Sequence, residues 1–227
     1  MAAPPARKPR ISAAERDARV AVIATAREMS RRGLSPGRSG NVSCRWGDGL
    51  LITPSGMAYE ELETGDVVHV GPDGQVPAGQ RKPSSEWQLH RAVYAARPDR
   101  AAVVHAHSLH AVVLACAHKP IPAFHYMVAV AGGIDIPCIP YATFGTEELA
   151  RHVAGGLAER DACLMAHHGQ VALGRTLAAA LELAAEVETL AEQYAKVLAL
   201  GAPKLLSVAE MREVLSRFKG YGQRAQG

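Results

Sequence analysis

The chain has 227 residues, 48% of them hydrophobic and 21% charged. That is enough for one large domain with its own core, and it is unlike a disordered, collagen-like or coiled-coil composition. The net charge of +3 arises in the first ten residues, where Arg7, Lys8 and Arg10 face no acid. The remaining 22 basic and 22 acidic residues balance, so no nucleic-acid surface is expected.

No apolar run reaches the roughly 18 residues of a membrane span. Residues 1–11 read as a disordered basic leader without the apolar core of a secretory signal, and a cytoplasmic protein is expected. Cys44, Cys116, Cys138 and Cys163 form no CxxC pair and read as reduced, buried thiols.

Ser12 and Glu15 fit a capping box that opens a helix over 13–32, ended by Gly33. A Gly/Ser/Pro-rich stretch follows to Gly40. Short strands are predicted at 50–53 and 67–70, with turns at 54–56 and 71–74. Ser85 and Gln88 form a second capping box for a helix from Ser85 to about Ala96, stopped by Pro98. A buried strand over 102–107 and a short helix over 108–117 come next, then an irregular stretch to Gly133. A strand is expected over 136–141 and a helix from Thr146 to about Arg160. Strands at 162–167 and 170–173 precede a long helix from Thr176 to about Leu200, and Ser207 and Glu210 cap a last helix towards Phe218. The irregular alternation of strands and helices indicates one α/β domain with a mixed sheet between helical layers.

His105 and His107 stand two apart in a predicted strand. Alternate strand residues share a face, so both imidazoles can meet one metal. His167 and His168, before Gly169, end a later strand; a catalytic zinc commonly takes three protein ligands, and one of this pair is a candidate third. Gly169 is read as allowing a sharp turn beside a crowded site. Glu86, in the first turn of its helix, suits the helix dipole and can equally serve as a general base or a fourth ligand. His90, one turn later, is placed to orient it.

Ser39-Gly40-Asn41, Thr53-Pro54-Ser55-Gly56 and Ser84-Ser85 supply turns, hydroxyls and a helix start of the kind that hold a phosphate. His69, His118 and His152 have no partner at metal spacing. His110 and His125 read as structural, and Trp46 and Trp87 as packing residues. No P-loop or GxGxxG fingerprint is present. None of the six lysines lies in an apolar strand, so carbonyl chemistry is expected to use a metal and not an imine.

Five ordered motifs, Ser39-Gly40-Asn41-Val42-Ser43, Leu51-Ile52-Thr53-Pro54-Ser55-Gly56, Pro83-Ser84-Ser85-Glu86-Trp87, Val104-His105-Ala106-His107 and His167-His168-Gly169, resemble the class II aldolase/adducin family. The likeness extends over His125-Tyr126-Met127, Ala131-Gly132-Gly133, Ile136-Pro137-Cys138, Pro140 to Gly145 and Phe218-Lys219-Gly220-Tyr221-Gly222, essentially 12–222. Residues 12–222 are thus taken as the catalytic domain and 223–227 as a flexible tail.

The resemblance implies a three-layer α/β/α domain with a central mixed, mostly antiparallel sheet. It implies a lyase that reversibly cleaves a ketose 1-phosphate, such as L-fuculose 1-phosphate, to dihydroxyacetone phosphate and a small aldehyde through a metal-stabilised enediolate. One zinc per subunit would be held by His105, His107 and His168, with Glu86 as catalytic acid/base and a fourth ligand without substrate. The phosphate would lie among Gly40, Asn41, Ser55, Gly56, Ser84 and Ser85. Tyr126 would give a proton to the aldehyde oxygen, assisted by Tyr221 of a neighbouring subunit in a homotetramer with sites between subunits.

Arg38 departs from the family pattern, which has a small residue there. A methylthioribulose-phosphate dehydratase shares the acid. A pentulose-phosphate 4-epimerase typically has Asp at the position of Glu86, and a non-enzymatic adducin-like scaffold would have lost the ligands.

Overall fold

The structure, a computed structural model, describes residues 11–218; the leader up to Arg10, Tyr221 and the tail lie outside the described residues. Helix α1 (Ala13–Arg31) begins where the Ser12 hydroxyl accepts the Glu15 N–H at 3.1 Å. Only half of the expected box forms, because the Glu15 carboxylate turns to Arg19 instead. Val22, Ala26 and Met29 make its buried stripe.

The Gly/Ser/Pro stretch then enters β1 (Asn41–Trp46), a strand that the sequence reading did not predict. Its polar residues Asn41 and Ser43 hide it: both are buried, although alternation rules expect apolar side chains inside.

Strands β2 (Gly49–Ile52) and β3 (Val68–Val70), α2 (Trp87–Ala96), β4 (Ala102–Ala106) and α3 (Leu109–Cys116) follow near their expected places. Strand β5 is only Cys138–Ile139, since Pro137 and Pro140 have no N–H to give a ladder; Ile136 instead bridges Ile121. Helix α4 (Glu147–Gly156) ends about a turn earlier than expected. Strands β6 (Ala162–Met165) and β7 (Gly169–Gly174) and helices α5 (Leu177–Leu200) and α6 (Val208–Phe218) complete the described chain. At Ser207 the capping box is reciprocal: Ser207 N–H donates to Glu210 at 2.7 Å, and Glu210 N–H to Ser207 at 3.2 Å.

The seven strands form one sheet in the order β3-β2-β1-β4-β7-β6-β5, antiparallel throughout except β5–β6. Helices α2 and α4 cover one face, where Leu89, Val93, Leu149 and Val153 meet Leu50, Ile52, Val103 and Val171. Helices α1 and α5 cover the other, where Val22, Met29, Ala180 and Ala184 meet Val42, Leu51, Val104 and Ala172. Each fully buried Val, Leu or Ile contributes about 1.5–3 kcal/mol relative to exposure, so both helical layers are fixed to the sheet. Strand parity puts His105 on the face of Val103, the face that carries α2. Of the four cysteines expected to be buried, Cys163 is buried, Cys44 and Cys138 are half-buried and Cys116 is exposed.

Candidate metal centre and adjoining cavity

Glu86 occupies the N-cap position of α2 but makes no cap bond to the helix. The expected Ser85–Gln88 box is absent; Ser84 Oγ accepts the Glu86 N–H instead. The carboxylate points at the imidazoles, with Oε2 3.1 Å from His105 Nε2 and Oε1 3.2 Å from His168 Nε2. His107, one residue past β4, brings its Nε2 to 2.9 Å from that of His105. The rings of His105, His107 and His168 meet edge to face, with centroids 4.7–4.9 Å apart. The possible ligand atoms of Glu86, His105, His107 and His168 all lie within 4.8 Å of one another, and among the described residues no second group of this kind gathers.

Three features fit this set to a divalent cation. His105 Nδ1 pairs with the Gln170 carbonyl at 2.8 Å, which fixes the N–H there and leaves the Nε2 lone pair free. Two Nε2 atoms at 2.9 Å need a shared proton or a cation between them. Glu86 Oε1 is buried and accepts no hydrogen bond, a costly state without a partner. Burial by itself would raise the Glu86 carboxyl, but the charge that His105 and His168 carry when protonated outweighs it and holds it below the usual range. Burial, with His105 and His168 beside it, pushes His107 down to about 3. His107 is therefore neutral at pH 7, as a ligand must be.

Of the adjacent pair, His168 turns inward and His167 outward. His167, not Gly169, adopts the left-handed backbone, with φ 56°. Gly169 serves a different purpose from the one expected: a Cβ there would lie 2.4 Å from the Ala106 carbonyl oxygen and 3.0 Å from His107 Cδ2. The glycine lets β7 approach the segment that carries two of the candidate ligands, His105 and His107. His167 Nε2 lies 2.7 Å from His118 Nε2, so His118 does have a histidine partner.

The cluster opens into a cavity of about 440 Å³ lined by Arg38, Ser39, Ser55, Gly56, Ser85, Glu86, His107, Ala142, His167 and His168, with Tyr141 and Phe144 on its rim. A hollow of about 480 Å³ beside α1 is slightly larger but contains no histidine. The three Ser/Gly segments are tied together here: Pro54 bridges Pro83, and the Arg38 guanidinium donates to the Gly56 carbonyl at 2.8 Å.

Ser55, Gly56 and Ser85 reach the cavity wall. Gly40, Asn41 and Ser84 are buried and are not part of that wall. A Cβ on Gly40 would lie 2.7 Å from the His105 carbonyl oxygen, so this glycine serves close packing against β4. Asn41 gives its amide N–H to Glu86 Oε2 at 2.9 Å.

Tyr126 is half-exposed, stacks on His125 and approaches Phe218; it is not among the cavity's lining residues. Sequence reasoning did not single out Tyr141, Phe144 or the Gln170 carbonyl. The carbonyl carries no side-chain signal at all. No helix among the described residues is long and apolar enough to cross a membrane.

The profile of the Class II Aldolase and Adducin N-terminal domain matches residues 20–195. A Rhodospirillum rubrum protein named 5-methylthioribulose-1-phosphate/5-deoxyribulose-1-phosphate aldolase is 53% identical over 205 residues, 90% of this chain and 92% of its own. The L-fuculose phosphate aldolase of Haemophilus influenzae is 50% identical over 206 residues, 90% of this chain and 95% of its own. A solved structure named L-fuculose 1-phosphate aldolase superposes with a TM-score of 0.86 at 38% identity, covering 89% of this chain and 96% of that one. Motif order, sheet topology and the His/Glu cluster agree with these likenesses, and the chain belongs to the class II aldolase and adducin family as one of its lyases.

Proposed function

We propose that the chain is a zinc-dependent aldolase that cleaves a ketose 1-phosphate to dihydroxyacetone phosphate and a small aldehyde with an apolar end. One observation carries the reading: three imidazoles and a carboxylate converge at one end of a cavity whose adjoining wall is built from Arg38, Ser39, Ser55, Gly56 and Ser85.

His105, His107 and His168 would hold the cation, with Glu86 as a fourth ligand before substrate arrives. A divalent cation held there would supply Lewis-acid stabilisation of negative charge on the substrate. The wall of Ser55, Gly56 and Ser85, backed by Gly40, Asn41 and Ser84, receives the phosphate, with Arg38 adding charge. Anchoring that end fixes the reacting carbon beside Glu86 and lowers the entropy cost of reaching the productive geometry. Glu86 Oε1, which has no hydrogen-bond partner, moves the proton at the carbon that becomes part of dihydroxyacetone phosphate.

Tyr141 and Phe144 are 55% and 64% exposed on the cavity rim and offer an apolar surface to the aldehyde end. L-fuculose 1-phosphate, 5-deoxyribulose 1-phosphate and 5-methylthioribulose 1-phosphate share a terminal carbon without a hydroxyl, which suits such a surface. Tyr126 gives a proton to the aldehyde oxygen, with Tyr221 assisting from a neighbouring copy in a cytoplasmic homotetramer. Residues 12–222 form the catalytic domain behind the leader, 1–11.

The test is a retro-aldol assay with these three sugar phosphates and L-ribulose 1-phosphate, with and without a chelator, reading dihydroxyacetone phosphate. Release from a deoxy substrate, abolished by the chelator and restored by zinc, is expected. Water loss without carbon–carbon cleavage would identify a dehydratase and overturn the proposal. Glu86→Gln is expected to retain zinc yet lose proton exchange at dihydroxyacetone phosphate; exchange at the wild-type rate would remove Glu86 from that role.

A further inference from the structure

A chain of buried hydrogen bonds runs from beneath the sheet to Glu86. Tyr94 Oη is 2.8 Å from Ser43 Oγ, which is 2.7 Å from His90 Nδ1. His90 Nε2 is 2.5 Å from Asn41 Oδ1, and Asn41 Nδ2 is 2.9 Å from Glu86 Oε2. Ser43 and His90 are fully buried, and Asn41, Tyr94 and Glu86 are at most 5% exposed.

The direction of every bond follows from the ionised carboxylate outward. A carboxylate only accepts, so Asn41 must present its Nδ2–H to Glu86 and its Oδ1 to His90. His90 must then carry its proton on Nε2, and its Nδ1 must accept from the Ser43 hydroxyl. The Ser43 oxygen in turn accepts from Tyr94. The chain commits Glu86 Oε2 and leaves Oε1 without a hydrogen bond, facing His168.

We propose that His90 is a positioning residue whose Nε2–H tautomer, fixed by Ser43, orients Asn41 and through it sets which oxygen of Glu86 is free for the metal and the reacting carbon. The inference rests on the reading of Glu86 as ligand and base. His90 touches neither metal nor substrate and acts through Asn41. The apolar surroundings make the arrangement rigid: each reversed bond would leave a buried donor or acceptor unpaired, at about 1–3 kcal/mol.

The test compares His90→Gln, whose amide nitrogen can replace Nε2–H, with His90→Asn, which is too short to reach Asn41. For each, zinc affinity is measured by competition with a chromophoric chelator, and kcat and KM for proton–deuterium exchange are measured on dihydroxyacetone phosphate. His90→Asn should lose about 10–100-fold in zinc affinity, exchange kcat or both, with KM changed less than about threefold, and His90→Gln should recover most of it. Adding His90→Asn to Asn41→Ala should cost nothing further, because the two act in series.

Equal losses in both His90 variants, or losses that multiply in the double variant, would overturn the proposal in favour of a packing role. If His90→Asn does not fold, Ser43→Ala leaves the ring in place and frees its tautomer. Exchange kcat should then fall with KM unchanged, and an unchanged kcat would overturn the proposal. If the wild-type protein shows no exchange at all, the aldolase reading fails, and zinc affinity alone still decides the role of His90.

Discussion

Gly169→Ala tests how closely the sheet must pack around the clustered imidazoles. The added Cβ would sit 2.4 Å from the Ala106 carbonyl oxygen and 3.0 Å from His107 Cδ2. Both neighbours belong to the segment 105–107 that holds two of the imidazoles. Reaching ordinary contact requires β4 and β7 to part by about an ångström, and overpacking of this kind typically costs about 1–3 kcal/mol. At roughly 2–4 °C per kcal/mol for a chain this size, the unfolding midpoint should fall by about 2–12 °C. Because the strain is applied to His107, zinc affinity should also fall by about tenfold or more, as it does when the partners of a ligand are disturbed.

Gly155→Ala is the control: it lies in α4 with nothing within 4 Å of its added Cβ. It should stabilise by roughly 0.5–1 kcal/mol and leave zinc binding alone. Thermal unfolding of the apo and zinc-loaded proteins, with chelator competition, reads all four quantities. If Gly169→Ala binds zinc within twofold of the wild type at an unchanged midpoint, the close approach of β7 is not what positions His107.

Arg38→Met should raise KM for the sugar phosphate about 5–50-fold and leave kcat within threefold, since the lost contact is a partly exposed charge-assisted bond; an unchanged KM would remove Arg38 from phosphate binding. Zinc at 100 times its dissociation constant should stabilise the protein by about 2.7 kcal/mol, so a chelator should lower its unfolding midpoint by roughly 5–10 °C, and no shift would mean that the cluster holds no structural cation.

Burial holds His90 down at about 3 against an ordinary 6.5. The unfolded chain therefore takes up a proton below pH 6.5 that the folded apo protein refuses. Stability is full above that pH and falls towards pH 3, by at most about 1.4 kcal/mol per pH unit. His90→Gln should flatten that fall by one proton relative to the wild type, measured by denaturant unfolding between pH 6.5 and 4; identical acid slopes would show that His90 is not held neutral. Borohydride added with substrate should trap no lysine adduct on mass spectrometry, because the cavity wall contains no lysine; a stable adduct would replace the metal mechanism with an imine.

Local signals were enough for much of the fold. Ser12, Thr146, Thr176 and Ser207 cap helices where their side chains say they should, since a cap needs only residues three apart. The spacing of His105 and His107, in and just past β4, marked them as a pair, and the acid at Glu86 and the pair His167-His168 were visible as candidates.

The three-dimensional fold chose His168 over His167, turned the Glu86 carboxylate off its helix and onto the imidazoles, and made a strand of Asn41–Trp46. It buried Asn41, Ser43 and His90 as one polar chain, gave Gly169 a packing role, and left Tyr126 outside the cavity wall. Such outcomes depend on partners far along the chain: Glu86 lies 45 residues from Asn41, and the Gln170 carbonyl 65 residues from His105. Periodicity and capping express only the energy of neighbours along the chain. The polarity of a buried site is settled by groups that meet solely when the sheet closes, and their unmet hydrogen bonds dictate where each side chain must point.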